Sequence, residues 1–178
     1  MTESRPLATP SQARPPAVIK RTYRATAEEL WALWTTKDGF EAWWGPQDFR
    51  VDVHEIDARL GGMLRYDMVA ATPEMIRAMA EMGQPSAHPV RARFAEFQPH
   101  ARLRLASVID FLPGVAPYES LIGVEFEALG DYTRMTVTLA PMHDEETTQM
   151  QLEGFTSQLS KLDARFAPES TPDDPSIP

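Results

Sequence analysis

The segment from Asp144 to Ala167 constrains this chain more than any other stretch, because Phe155, Leu159, Leu162 and Phe166 recur at the helical spacing i, i+4, i+7 and i+11. Those positions form one continuous apolar stripe. Asp144 is placed to cap the first backbone N–H groups, and Glu145 and Glu146 fall in the first turn, where the helix dipole favours negative charge. Pro168 supplies the stop. A helix this long with a stripe this bulky needs a broad apolar surface, and the region before it reads mostly as strands. The expected architecture is one long helix gripped by a curved sheet, with a cavity between them.

Residues 1–16 contain Pro6, Pro10, Pro15 and Pro16 among Ser, Thr, Ala and Arg and show no hydrophobic period, which predicts a disordered tail. Val18, Ile19, Thr22 and Tyr23 predict a first strand, and Thr26 with Glu29 three residues later makes a capping box. The helix that follows presents Leu30, Leu33 and Trp34 on one face. Lys37, Asp38 and Gly39 are expected to break it before a second helical piece from Phe40 to Trp44, ended by Gly45 and Pro46. Phe49, Val51 and Val53 alternate with polar residues, the alternation slips around Glu55 to Asp57, and Gly61–Gly62 turns the chain into a strand lined by Leu64, Tyr66 and Met68.

Thr72 and Pro73 then open a short Met-rich helix inserted between strands, with Met75, Ile76, Met79 and Met82 on one face. Strands follow around Val90 to Phe94 and Leu103 to Ser107. A final hairpin joins Leu121–Leu129 to Met135–Leu139 through Gly130 and Asp131. The tail at 168–178, with Pro172, Pro175 and Pro178, again reads as disordered. One domain spanning 17–167 results, which suits a chain of 178 residues.

Composition narrows the function classes. Seventeen Lys and Arg against 26 Asp and Glu give a net charge of −9, which opposes the attraction that nucleic acid or anionic lipid would need. With no cysteine, disulfides, thiolate nucleophiles and Cys-based zinc sites drop out, leaving four His and the carboxylates for any metal. No apolar run approaches the ~20 residues of a membrane span, and the N-terminus lacks the apolar core of a secretory signal. A cytoplasmic protein with no membrane contact and no nucleic-acid partner is the expectation. Nucleophile-elbow, P-loop and dinucleotide motifs are absent from the sequence.

The run Thr26 to Pro46, with "ELWALWT" and "FEAWWGP", followed by "DARLGG" at 57–62 and "FAEFQPHARLRL" at 94–105, resembles the activator of Hsp90 ATPase homologue 1-like family. That family belongs to the START-like, SRPBCC or Bet v 1-like superfamily, and the resemblance covers roughly Val18 to Phe166. It implies an α+β helix-grip fold, in which a seven-stranded antiparallel sheet wraps around the C-terminal helix and encloses a pocket for apolar or amphipathic ligands. It implies no single activity. The eukaryotic cochaperone that names the family has a separate N-terminal domain for engaging the chaperone. A short Pro-rich tail stands there in this chain, so direct chaperone contact is not expected.

Within that fold Trp34, Tyr66, Met68, Phe94, Phe126, Phe155 and Leu159 are the candidate lining of a pocket, although residues of this kind are more often simple core. Met75, Met79 and Met82 offer a flexible lid over its mouth, or a face for a second subunit in a homodimer. Gly154, inside the long helix, asks for a packing or access reason. Asp110, Tyr118 and His143 form a candidate polar cluster near one end of that helix, able to orient a ligand. In "MHDEE" at 142–146, His143 beside Asp144, Glu145 and Glu146 offers a general base with an orienting carboxylate; the stronger reading is a helix cap, and a metal there would need His54, His88 or His100 from elsewhere. Arg65 and Arg93 point outward if the strand alternation holds, and inward if a bulge reverses it.

Three functions follow: a cofactor-free binding module for a small apolar or aromatic ligand, a cyclase-, dehydratase- or hydrolase-type enzyme using the same pocket, and a chaperone-accessory or protein-interaction module. The fold analogy ranks the first ahead.

Overall fold

A computed structural model describes residues 14–166. The tails expected to be disordered, and Pro168, fall almost wholly outside the described residues. Seven antiparallel strands form one sheet in the order β1-β7-β6-β5-β4-β3-β2. They are β1 (Ala17–Tyr23), β2 (Phe49–Ile56), β3 (Met63–Ala70), β4 (Ala87–Gln98), β5 (Arg102–Ile109), β6 (Tyr118–Leu129) and β7 (Tyr132–Leu139). Helices α1 (Ala27–Thr35) and α2 (Lys37–Glu41) follow β1, α3 (Pro73–Glu81) joins β3 to β4, and α4 (Glu145–Arg165) closes the chain. This is the α+β arrangement the resemblance implies, with the Met-rich insertion in its expected place.

Local chemistry explains the element ends. Thr26 accepts from Glu29 N–H while Glu29 returns a bond to Thr26 N–H, completing the capping box. The second helix starts three residues earlier than expected, because Thr36 caps it by accepting from Gly39 N–H; Lys37 to Gly39 are its first turn, not a break. Asp144 caps α4 through Thr147 N–H, and Phe166 ends it. The bulge in β2 falls at Val53–Glu55, ahead of the expected Glu55–Asp57, and a second one stands at Phe94–Glu96. Strand β6 begins at Tyr118 rather than Leu121, since Tyr118 to Ser120 pair with Ser107 to Ile109. Gly62 answers to a close approach: a Cβ there would stand 1.8 Å from the Asp57 carbonyl oxygen.

Inward-facing Leu64, Tyr66, Phe94, Leu103, Leu105, Val124, Phe126, Met135 and Val137 meet α1, α2 and α4 in one core. Helix α4 buries Phe155, Gln158, Leu159 and Leu162. Its C-terminal end is tied to β1, where the Tyr23 hydroxyl donates to Asp163 at 2.7 Å and the Tyr23 and Phe166 rings lie 5.7 Å apart.

Candidate functional site

The space beneath α4 is built mainly by aromatic side chains from the turn between α1 and β2. Phe40 stacks on Trp44 at 4.5 Å, Trp34 meets Trp43 and Trp44 at 5.1 and 5.3 Å, and Phe155 comes down on all three tryptophans at 5.8–6.4 Å. Such tilted and edge-to-face contacts add to the apolar burial of the rings. Trp34, Tyr66, Phe94, Phe126, Phe155 and Leu159 are all buried, and Met68 is half-buried beneath Gly45. The sequence-predicted lining is therefore core, and the tryptophans, more than Phe94 or Phe126, face Phe155.

Polar groups inside this core are unevenly matched. Trp43 Nε1 donates to the Leu33 carbonyl at 2.9 Å, and Trp44 Nε1 donates to the Tyr66 hydroxyl at 3.0 Å. Burial pushes the Tyr66 phenol up to about 12, so it stays neutral. Gln158 Oε1 accepts from Gly45 N–H at 2.9 Å, which fixes the amide orientation and leaves Nε2 as the free end. Among the described residues, Trp34 Nε1 and Gln158 Nε2 are buried donors with no acceptor. Sequence reasoning missed Gln158, although a signal was there: it occupies the i+3 position between Phe155 and Leu159, where the apolar stripe should continue.

A second polar group lies at the N-terminal end of α4. The Tyr118 hydroxyl and His143 Nδ1 are 2.8 Å apart, and His143 Nε2 faces Asp144 Oδ2 at 3.2 Å and Thr147 Oγ1 at 3.4 Å. Burial raises the Tyr118 phenol; the Thr147 backbone and side-chain hydrogen bonds, ahead of His143, lower the Asp144 carboxyl. Tyr118 and His143 are thus brought together as expected. Asp110 is not: it is exposed and ion-paired with Arg91 at 2.7 Å, because the strand ends at Ile109 and the next residue turns outward. Asp144 takes the place foreseen for it. No group of three or more His, Asp or Glu side chains is placed to hold a metal among the described residues.

The remaining candidates sort by face. Arg65 and Arg93 lie on the outer side of the sheet, paired with Glu55 at 2.8 Å and Glu119 at 2.9 Å, so the alternation holds for both. On α3, Met79 is buried, Met75 is half-buried, and Ile76 and Met82 are exposed. Gly154 needs no glycine for space, since a Cβ would meet Pro46 Cγ at an ordinary 3.7 Å. Depressions of about 310 and 260 Å³ lie on the outer sheet face around Gly123 and Thr136, sharing the ion-paired Arg102 and Glu125.

A seven-stranded antiparallel sheet closed by a long C-terminal helix, with two short helices after the first strand, defines the helix-grip proteins of the START-like class. The family model described as Activator of Hsp90 ATPase homolog 1-like protein matches residues 24–167, and the chain belongs to that family, within the SRPBCC superfamily. Solved structures carry the same fold. Protein CV1439 from Chromobacterium violaceum is 17% identical, with 88% of this chain and 100% of that one covered, at a TM-score of 0.66. The AHSA1 protein from Silicibacter pomeroyi is 21% identical over 85% and 97%, at 0.67. Protein Ms6760 from Mycobacterium smegmatis is 17% identical over 91% and 98%, at 0.65. No curated protein gives a significant match. The fold is that of a ligand-binding or accessory domain, and no helix among the described residues is long and apolar enough to cross a membrane.

Proposed function

We propose that this domain binds a small, largely apolar ligand between the sheet and α4. The observation that carries the reading is the pair of buried donors without acceptors, Trp34 Nε1 and Gln158 Nε2, in a core otherwise made of aromatic rings. An unpaired buried donor costs about 1–3 kcal/mol, so native cores rarely keep one without a guest or an ordered water to take it. The rings around it offer the apolar walls such a guest requires. Native mass spectrometry of the purified full chain, followed by denaturing analysis of any adduct, tests the reading. A stoichiometric small-molecule adduct is the expected result; a bare protein that also ignores a panel of neutral aromatic probes would sink it.

An enzymatic role is favoured by one further observation, the hydrogen-bonded series Tyr118, His143, Asp144 at the N-terminal end of α4. It has the parts of an acid–base relay: a phenol, an imidazole within proton-transfer distance of it, and a carboxylate that orients the ring. If a bound guest is turned over, His143→Ala and Tyr118→Phe each lower the rate by about 10²-fold or more while guest affinity holds. Equal turnover in both variants would leave binding alone.

A further inference from the structure

We infer that the ligand of this domain carries a neutral hydrogen-bond acceptor, a ketone, ester, amide or ether oxygen, which docks on the donors gathered around Trp44. The inference rests on the binding reading above and adds the chemistry of the guest. Trp44 is the common neighbour of all the groups involved. Its ring lies 5.3 Å from that of Trp34, its Nε1 is bonded to the Tyr66 hydroxyl, and the residue after it, Gly45, is bonded to Gln158. Trp34 Nε1 has only a proton to give, and Gln158 Nε2 has only protons left once Oε1 is taken. The Tyr66 hydroxyl already accepts from Trp44 and has its own proton to offer. What this core lacks is an acceptor.

The acceptor is neutral because these elements present no cation free to meet a charge. Helix α1 and the segment 42–48 contain no Lys or Arg. On α4, Lys161 Nζ donates to the Phe49 carbonyl at 3.0 Å and the Arg165 guanidinium lies 5.2 Å from the Phe166 ring centre. On β3, Arg65 faces outward to Glu55, and on α2, Lys37 is exposed beside Glu41. A carboxylate or phosphate placed here would lose its hydration without a counter-charge. A carbonyl oxygen has two lone pairs, suited to two N–H donors.

The test is equilibrium dialysis of the full chain with three probes of one shape: 2-acetylnaphthalene, 2-ethylnaphthalene and 2-naphthoate. The acetyl compound should bind about tenfold tighter than either of the others, and Trp34→Phe should reduce that advantage about fivefold, the worth of one neutral hydrogen bond. Affinity for 2-ethylnaphthalene should fall less than that for the acetyl compound, since both lose indole surface and only the acetyl compound also loses a hydrogen bond. Gln158→Met, which also gives up the Gly45 bond, provides the second removal of a donor should Trp34→Phe fail to fold. Equal affinity for the acetyl and ethyl compounds, or an advantage that survives both substitutions, overturns the inference while ligand binding stands. A native adduct without an oxygen acceptor overturns it as well. Absence of any adduct together with no binding of any probe removes the binding reading itself.

Discussion

The two halves of α4 rest on the protein in different ways. From Phe155 onward the helix buries Phe155, Gln158, Leu159 and Leu162 and is tied at its end to Tyr23 through Asp163. Between Glu145 and Glu153 none of its side chains is fully buried, and Met150 is exposed. That half is held mainly by polar bonds, the Asp144 cap, Thr148 Oγ1 accepting from Met142 N–H and Gln151 reaching Ser120 on β6, with the half-buried Leu152 packed against the core. One segment of regular helix therefore joins a packed region to a locally capped one. Packing dominates the resistance of the first to opening, and capping with a few polar ties and the half-buried Leu152 sets that of the second. The unmatched donors belong to the packed half, and the Tyr118–His143 pair to the other.

The largest effect is expected from deleting the same side chain in each half. Leu159→Ala removes a fully buried side chain and should cost about 2–5 kcal/mol, as other core leucine truncations do. Leu152→Ala, where the leucine is half-buried, should cost less than half as much. Chemical denaturation of the two variants checks the difference. Equal losses would show that the halves are held alike.

Alkaline pH should attack the packed half next. Tyr66 is raised to about 12 by burial, and Tyr23 is raised further, by burial first and then by its bond to Asp163. In both, the folded protein holds a neutral phenol that the unfolded chain releases near pH 10. Their contribution is complete below pH 10 and is lost as pH rises through the folded values, because the unfolded state then binds fewer protons. For Tyr66 the shift from 10 to about 12 corresponds to roughly 3 kcal/mol. Lys161 works the other way, since its lowered value means that the folded state gains as the ammonium deprotonates. Two phenols against one partly buried lysine leave a net fall. Unfolding free energies measured from pH 9 to 12 should decline, and Tyr66→Phe should flatten the decline.

The division along α4 also separates what could be read from the sequence from what could not. The stripe at Phe155, Leu159 and Leu162, the Thr26–Glu29 box and the Asp144 cap are local patterns, and each appears where spacing puts it. Strand alternation left Arg65 and Arg93 outward unless a bulge reversed it, and the strands keep them outward beside the inward Tyr66 and Phe94. The site depended on contacts between distant segments. Nothing local to Gln158 says that Gly45, more than a hundred residues earlier, will occupy its oxygen and free its nitrogen. Nor does any period show that Asp110 will leave the cluster for Arg91, whereas Asp144, next to His143 in the chain, could be read as its orienting carboxylate. The bulge at Phe94–Glu96 escaped notice for the same reason, since it is a property of two paired strands.

Gly154 stands at the junction of the two halves, and its replacement gives the finest test of the contrast. Its position in a helix interior costs about 1 kcal/mol relative to alanine, through the backbone freedom it loses on folding. No close approach demands it, because the added Cβ would lie 3.7 Å from Pro46 Cγ. Gly154→Ala should therefore stabilise the protein by up to about 1 kcal/mol, raising Tm by roughly 2–4 °C for a domain of this size. The gain should show as slower amide exchange from Glu145 to Glu153, where helix propensity weighs most against little burial, and hardly at all around Leu159. A destabilised variant would mean that the two segments meet more tightly than an ordinary contact. A gain spread evenly along α4 would mean that the helix opens as one unit, and the distinction between its packed and capped halves would fall.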